Sequence, residues 1–256
     1  MKVLMIGDIY ASKGREMIEK YLLKFKESNN IDLVIGNGEN VTHGKSISEK
    51  HFLELIKNGV DIVTSGNHIF KNSEVIDYID NYSNLLKPLN MNPFTPGPGS
   101  IVVNCLNKKV RVTNLIGRSF MDPAENPYQA FDELIQNSAP CDIHLVDFHG
   151  EASAEKMAFA WNYDGKITAL VGTHTHVQTA DEMILPKGTG YITDLGMTGP
   201  INSIIGVEPE DVIRKEKTGL PSRFKPAKGA GQFCGVIINI NDNNEVLALN
   251  RVFVRE

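Results

Sequence analysis

Cysteine is scarce in this chain. The three present, Cys105, Cys141 and Cys234, lie far apart and form no Cys-x-x-Cys pair. That spacing excludes a thiolate zinc cluster, a redox dithiol and a disulfide framework. It suits buried, unpaired thiols in a reducing cytoplasm. Long apolar runs are missing too: no segment approaches the ~18 to 20 residues a membrane-spanning helix needs. The opening run Met1–Ile6 stops at Gly7-Asp8, too soon for the apolar core of a signal peptide, and reads as a first strand. Basic charge is in deficit, with 26 Lys and Arg against 31 Asp and Glu for a net charge of −5. Long nucleic acid needs a basic footprint and is not expected as a partner, nor is a membrane. A small phosphorylated ligand stays open. Repeats, low-complexity tracts and linkers are lacking as well, so residues 1–256 read as one domain.

What is present is a rhythm of short apolar runs and longer helix-like stretches. Lys2–Ile6, Leu33–Ile35, Ile62–Thr64, Ile143–Asp147 and Thr168–Val171 read as buried strands. Residues 14–27, 48–58, 74–81 and 128–137 read as helices, and a further helix contains Met157, Ala158 and Trp161. In that last helix Trp161 is expected in the core. Three hairpins interrupt the rhythm, around Asn107-Lys108, Pro186-Lys187-Gly188 and Asp242-Asn243-Asn244. Hairpins mixed with strand–helix units predict an α/β fold, a four-layer αββα sandwich of two packed mixed β-sheets flanked by helices.

The residues just beyond the strands share a narrow chemistry. Gly7-Asp8 follows the first strand and Gly36-Asn37-Gly38-Glu39-Asn40 the second. Ser65-Gly66-Asn67-His68 follows the third, and Phe148-His149-Gly150-Glu151 and Gly172-Thr173-His174-Thr175-His176 follow the last two. In open α/β sheets ligands bind beyond the carboxyl ends of strands, so these groups converge on one rim. Carboxylates, carboxamides and imidazoles without thiolate suit Mn, Fe, Zn or Mg. There are donors enough for two ions, which usually lie roughly 3.5–4 Å apart and share a bridging carboxylate. An extended backbone sends His174 and His176 to the same side, whereas a turn splays them toward separate ions. Two divalent ions held by Asp8, Glu39 and neutral ligands leave a site of about +2, which attracts phosphate. Such ions ionise bound water near neutral pH, so hydrolysis at phosphorus by metal-bound hydroxide is the expected chemistry.

In this order and spacing the residues resemble the calcineurin-like metallophosphoesterases. Within them they are most similar to the YmdB-like branch of cyclic-nucleotide phosphodiesterases. The resemblance rests on Asn37–Asn40, Asp147–Ala152, Val171–Asp181 and Tyr191–Pro200. It implies that Asp8 and His176 hold one ion, that Asn67, His149 and His174 hold the other, and that Glu39 bridges. His68 is implied as the imidazole that protonates the leaving alkoxide or steadies phosphate. Tyr10 stands where the wider superfamily has a metal-binding histidine, and the branch suggests Asn40 as the replacement donor. Iron or manganese is the implied metal pair, and 2′,3′-cyclic nucleotides, with 3′,5′-cyclic ones as a further option, are the implied substrates. A regulatory nucleotide- or RNA-sensing protein with little turnover, and a phosphomonoesterase, are the competing readings. Substrate-binding residues are not identified. Lys45, His43 and Arg118 are open between phosphate contacts and ordinary surface, Met197–Gly199 between a substrate-closing loop and a structural turn. Whether the chain is a monomer or a homo-oligomer is left undecided.

Overall fold

A computed structural model describes all 256 residues. The first half contains β1 (Lys2–Ile6), β2 (Asp8–Ile9), α1 (Ala11–Asn29), β3 (Leu33–Asn37), α2 (Glu49–Lys57), β4 (Ile62–Thr64), α3 (Glu74–Tyr78), β5 (Ser100–Cys105) and β6 (Lys108–Ile116). The second half contains α4 (Pro127–Asn137), β7 (Ile143–His149), α5 (Ser153–Asn162), β8 (Ala169–Thr173), β9 (Met183–Ile184), β10 (Gly190–Ile192), β11 (Met197–Pro200), α6 (Pro209–Thr218), β12 (Gly231–Ile240) and β13 (Val246–Arg255). Local chemistry sets several boundaries. The Ser48 side chain accepts from the His51 backbone N–H and caps α2. Asn126 caps α4 ahead of Pro127, whose missing N–H costs nothing in a first turn. Asn30, in the left-handed region at φ 53°, ends α1.

The strands form two mixed sheets. One runs β2-β11-β12-β1-β3-β4 with β13 on the far side of β12; the other runs β5-β6-β7-β8-β10-β9. In the first, β1, β3 and β4 are parallel and β12 is antiparallel to β1. In the second, β6, β7, β8 and β10 are parallel, with antiparallel β5 and β9 at the edges. Alternation along each strand sorts the apolar side chains into three cores. Leu4, Ile6 and Val34 meet Met17, Ile18 and Leu22 of α1 and Phe52 and Leu55 of α2. Val3, Met5, Leu33, Ile35 and Ile62 meet Val110, Val112, Ile143, Leu145, Ala169 and Val171 between the sheets. Val146, Phe148 and Leu170 meet Phe131 of α4 and Phe159 and Ala160 of α5. Three cores between four layers give the expected αββα sandwich.

Some local expectations are corrected. Trp161 is 51% exposed rather than in the core, because α5 turns Lys156, Phe159 and Ala160 inward. Met197–Gly199 is neither a turn nor a closing loop: it lies in β11, paired in parallel with β2 through Met197–Asp8 and Thr198–Ile9. Gly7 permits this approach, since a β-carbon there would strike the Gly196 carbonyl. Only Cys234 is buried; Cys105 and Cys141 are half-buried. No helix is long and apolar enough to cross a membrane.

Candidate metal centre

The inward stripe of the strands changes character at their carboxyl ends. Continuing the alternation of Leu33 and Ile35, Ile62, Ile143 and Leu145, and Ala169 and Val171 brings Asn37, Thr64, Asp147 and Thr173 to the same inter-sheet face. All four are buried. They satisfy one another: Asp147 Oδ2 accepts from Thr64 Oγ1 at 2.5 Å and Asn37 Nδ2 at 3.1 Å, and its Oδ1 accepts from Thr173 Oγ1 at 2.7 Å. Burial raises the Asp147 pKa, and these hydrogen bonds oppose the shift. This polar plug closes the apolar core and forms the floor on which the site residues stand.

Above it, the chain ends of β1, β3, β4, β7 and β8 bring together Asp8, Glu39, Asn40, Asn67, His68, His149, His174 and His176. His149 Nε2 lies 3.0 Å from His174 Nδ1, 3.1 Å from Asn67 Oδ1 and 3.3 Å from Glu39 Oε2. Glu39, His149 and His174 form a metal-competent group of donors. Beside it, His176 Nε2 lies 3.2 Å from Asn40 Oδ1 and 3.8 Å from Asp8 Oδ1. His174 and His176 have φ of 105° and 65°, so the chain turns there and splays the two rings into the two groups. Of the two geometries open from sequence, the turn is the one adopted.

The outer nitrogens explain what the inner ones offer. His174 Nε2 is 3.1 Å from Glu151 Oε2, and His176 Nδ1 is 2.8 Å from the Ile205 carbonyl. His149 Nδ1 is 3.0 Å from Thr173 Oγ1, whose own proton goes to Asp147. Each outer partner accepts, so each imidazole carries its proton outward and turns a lone pair inward. With the rings neutral, His149 Nε2, His174 Nδ1, Asn67 Oδ1 and Glu39 Oε2 then converge as acceptors that need a shared positive charge. Asp8 Oδ1 is buried without any hydrogen-bond donor. Gly66 leaves the space open, since a β-carbon there would collide with the His149 ring and Glu39 Oε2. Converging lone pairs, an orphaned carboxylate oxygen and a cradle kept clear by glycine fit divalent cations.

The charges agree. Burial pushes Asp8 up to about 6, with His176 and His149 opposing. Burial also works to raise Glu39, but His149 and His68 hold it well below the usual carboxylate range. Burial would depress His149, yet the Glu39, Asp8 and Asp147 carboxylates raise it to about 9, so a proton on Nε2 competes with a cation for this place. Burial and His149 press His174 down to about 3. The protein part of the site therefore draws in positive charge.

His68 stands apart from the crowded donors. Its Nδ1 is 3.2 Å from Asn40 Nδ2 and 3.3 Å from Glu39 Oε1, its backbone N–H donates to Glu39 Oε2 at 3.0 Å, and its side chain is 28% exposed. Tyr10 is buried with its ring edge-on to His176 at 5.6 Å, and burial raises its hydroxyl to about 12. It is a packing wall beside the place a histidine would occupy. Arg118 is exposed, and its backbone N–H, rather than its guanidinium, is bonded, to Glu155. Sequence reasoning missed the supports: Thr173, Asp147 and Glu151 behind the imidazoles, and the buried Lys156–Asp194 pair at 2.9 Å beneath the His174–His176 turn. A carboxylate inside an apolar run, as at Asp147, is the signal that was available. A separate 740 Å³ cavity, lined by Arg111, His144 and Lys166 among others, lies at the opposite ends of β6 and β7 and shares no residue with the site.

Two packed mixed sheets carrying an oxygen-and-imidazole donor set at their carboxyl ends define a metallophosphoesterase, a metal-dependent hydrolase of phosphoric esters. The match to the family model described as YmdB-like protein spans residues 4–252, and the chain belongs to that family. A relative from Bacillus subtilis (strain 168), a 2′,3′-cyclic-nucleotide 2′-phosphodiesterase, is 44% identical across 100% of this chain and 98% of its own length. Among solved structures, a protein from Thermus thermophilus superimposes with a TM-score of 0.95 at 38% identity, covering all of both chains. A phosphatase from Mycoplasma pneumoniae does so with a TM-score of 0.95 at 38% identity, over 100% of this chain and 93% of that one.

Proposed function

We propose that the chain, acting as one domain, is a dinuclear metal-dependent phosphodiesterase that hydrolyses 2′,3′-cyclic nucleotides. The observation that carries this reading is the orientation of the three imidazoles, each with an acceptor behind its outer nitrogen and its inner lone pair facing carboxylate and carboxamide oxygens. Asp8, Asn40 and His176 would hold one ion, Asn67, His149 and His174 the other, and Glu39 both; iron or manganese suits these donors. When bound, the ions supply positive charge to the phosphoryl oxygens and ionise water near neutral pH. The cyclic-diester substrate is favoured by the activity named for the Bacillus relative.

The chain's own part in the reaction centres on His68. Asn40 Nδ2 and Glu39 Oε1 both face His68 Nδ1, at 3.2 and 3.3 Å. His68 Nε2 has no partner within the protein and is the nitrogen free to meet a leaving group. Hydrolysis of the 2′ ester bond expels the 2′-oxygen as an alkoxide, and the imidazolium form of His68 would deliver its Nε2 proton and be left as a neutral ring with Nδ1–H directed to Glu39 Oε1. Glu39 Oε2 holds the His68 backbone in place while its Oε1 stabilises the ring.

The test is a substrate panel run with metal analysis. The purified chain is expected to hold two transition-metal ions and to convert 2′,3′-cyclic AMP to 3′-AMP faster than it cleaves 3′,5′-cyclic AMP or any phosphomonoester. His68→Gln is expected to lower kcat by about 10²–10⁴ with both ions retained, and Glu39→Gln to lose metal and activity together. Full activity in Glu39→Gln overturns the reading. A higher rate on monoesters would favour the phosphatase named for the Mycoplasma structure.

A further inference from the structure

Next to the metal centre lies an 880 Å³ groove whose nine lining residues include Lys45, Lys215, Arg223, Lys225 and His43 and no carboxylate. In a chain with more acidic than basic residues, this local composition is distinctive. The four Lys and Arg side chains make no ion pair and no hydrogen bond within the protein. Phe224, 41% exposed in the same groove, has the Lys215 ammonium 5.3 Å from its ring centroid. Unpaired cations interleaved with an exposed aromatic are the elements that bind a single-stranded nucleic acid: charge along the phosphates, a ring face for a base.

Both walls of the groove are tied to the candidate ligands. On one side, Asn40 Nδ2 donates to the Gly44 carbonyl at 3.0 Å, between His43 and Lys45. On the other, Ile205, whose carbonyl holds His176 Nδ1, precedes residues that pair with the groove segment. The Ala227 N–H donates to Gly206, the Glu208 N–H donates to Lys225, and Val207 bridges to Pro226. The groove is thus built onto the same two loops that carry Asn40 and support His176.

We infer that this groove seats the nucleotide attached on the 5′ side of the one being hydrolysed, so that the substrates include short oligoribonucleotides ending in a 2′,3′-cyclic phosphate. This rests on the diesterase reading above. The chemistry of that ester leaves one direction for extension: phosphorus occupies both the 2′- and 3′-oxygens, so the chain continues only through the 5′-oxygen. Such ends arise when the 2′-hydroxyl of RNA attacks the adjacent phosphodiester and expels the 5′-oxygen of the next nucleotide with a proton. The reaction supplying the substrate would therefore be RNA transesterification. The internucleotide phosphate meets Lys215, Arg223 and Lys225, and the preceding base stacks on Phe224.

The experiment compares kcat/KM for 2′,3′-cyclic AMP, its 5′-phosphorylated form and the dinucleotide ApA with a 2′,3′-cyclic end. The dinucleotide is expected to be preferred over the mononucleotide by about tenfold or more at low salt, and the preference to shrink as salt rises. The triple variant Lys215→Ala/Arg223→Ala/Lys225→Ala should abolish the preference while leaving kcat/KM for 2′,3′-cyclic AMP within about twofold. Phe224→Ala should remove part of it without changing its salt dependence. Equal kcat/KM for mononucleotide and dinucleotide overturns the inference, as does a 5′-phosphorylated mononucleotide that gains the whole advantage. Polarisation of a labelled tetra-adenylate reads the groove without turnover. Binding lost in the triple variant while none of the three cyclic esters is hydrolysed by the wild type would refute the diesterase reading alone; binding equal in both proteins would refute the groove.

Discussion

Replacing Thr173 with valine isolates the tautomer argument from the ligands themselves. Valine keeps the shape of threonine but removes the hydroxyl that accepts from His149 Nδ1 at 3.0 Å and donates to Asp147 Oδ1 at 2.7 Å. The His149 Nδ1–H and Asp147 Oδ1 are then buried without these partners, at about 1–3 kcal/mol each. Asp147 Oδ2 keeps Thr64 and Asn37, so a total near the middle, about 2–4 kcal/mol, is expected. For a chain of this size that lowers Tm by about 5–15 °C. The ring also loses the acceptor that keeps its proton on Nδ1, and loss of such a support typically weakens metal binding about 10–100-fold. The assay pairs thermal denaturation, with and without added Mn²⁺, with metal competition against a chelator. Thr173→Ser, which retains the hydroxyl, is expected to recover most of the metal affinity. A valine variant that loses stability but binds metal within about twofold of wild type would show that Thr173 is scaffold only, and the tautomer argument would fall.

Lys156 and Asp194, both fully buried, carry a different expectation. Lys156 Nζ bonds Asp194 Oδ2 and the Thr173 carbonyl, and Asp194 also accepts from the backbone N–H groups of Thr175 and Gly196. Lys156→Met strands a buried carboxylate at about 3–5 kcal/mol; calorimetry should show a Tm drop on the order of 10 °C, with Asp194→Asn restoring part of it, and a drop under about 2 °C would contradict the burial. His144 gives the pH dependence: burial and Arg111 press its pKa down to about 3, against about 6.5 for an unfolded histidine. Between those values the unfolded chain binds the extra proton, so stability falls as pH drops below about 6.5, by about 2 kcal/mol at pH 5 from this group. Urea denaturation at pH 7 and 5 should show that increment shrink in His144→Gln, and an unchanged increment would remove His144 as its source.

The apolar strands and the polar groups after them were legible because each strand announces itself twice, by a buried run and by the Gly-containing turn that ends it. Asp8, Glu39, Asn67, His149 and His174 could therefore be placed on one rim. β2 and β11 were not legible. They are two and four residues long, and Gly196–Pro200 has the composition of a turn; pairing with β2 and β12, both distant in sequence, makes it a strand. α6 was missed because none of its residues is buried, so it has no apolar stripe to read. In α5 the sequence misleads about which face is inward. Lys156 looks like solvent face and Trp161 like core, but the lysine points inward to meet Asp194, and that partner lies 38 residues away in sequence. The supports of the candidate metal centre share this character: Thr173 behind His149 and Glu151 behind His174 depend on strand register, which spacing alone does not state.

The distribution of charge separates two sources of attraction for an anionic substrate. Asp8, Glu39 and Asp147 sit in or beneath the site, so its carboxylates repel phosphate, and the attraction at the reacting ester would come from bound cations at short range. Charges held in such a buried setting are little screened by salt. Lys215, Arg223 and Lys225 are exposed, and their pull on a neighbouring phosphate decays with ionic strength. A cyclic mononucleotide samples only the first source, whereas an oligonucleotide end samples both. Their rates should therefore converge at high salt by decline of the oligonucleotide, with little change for the mononucleotide. This differential response assigns the negative net charge to the protein's surroundings and the anion recognition to two local exceptions.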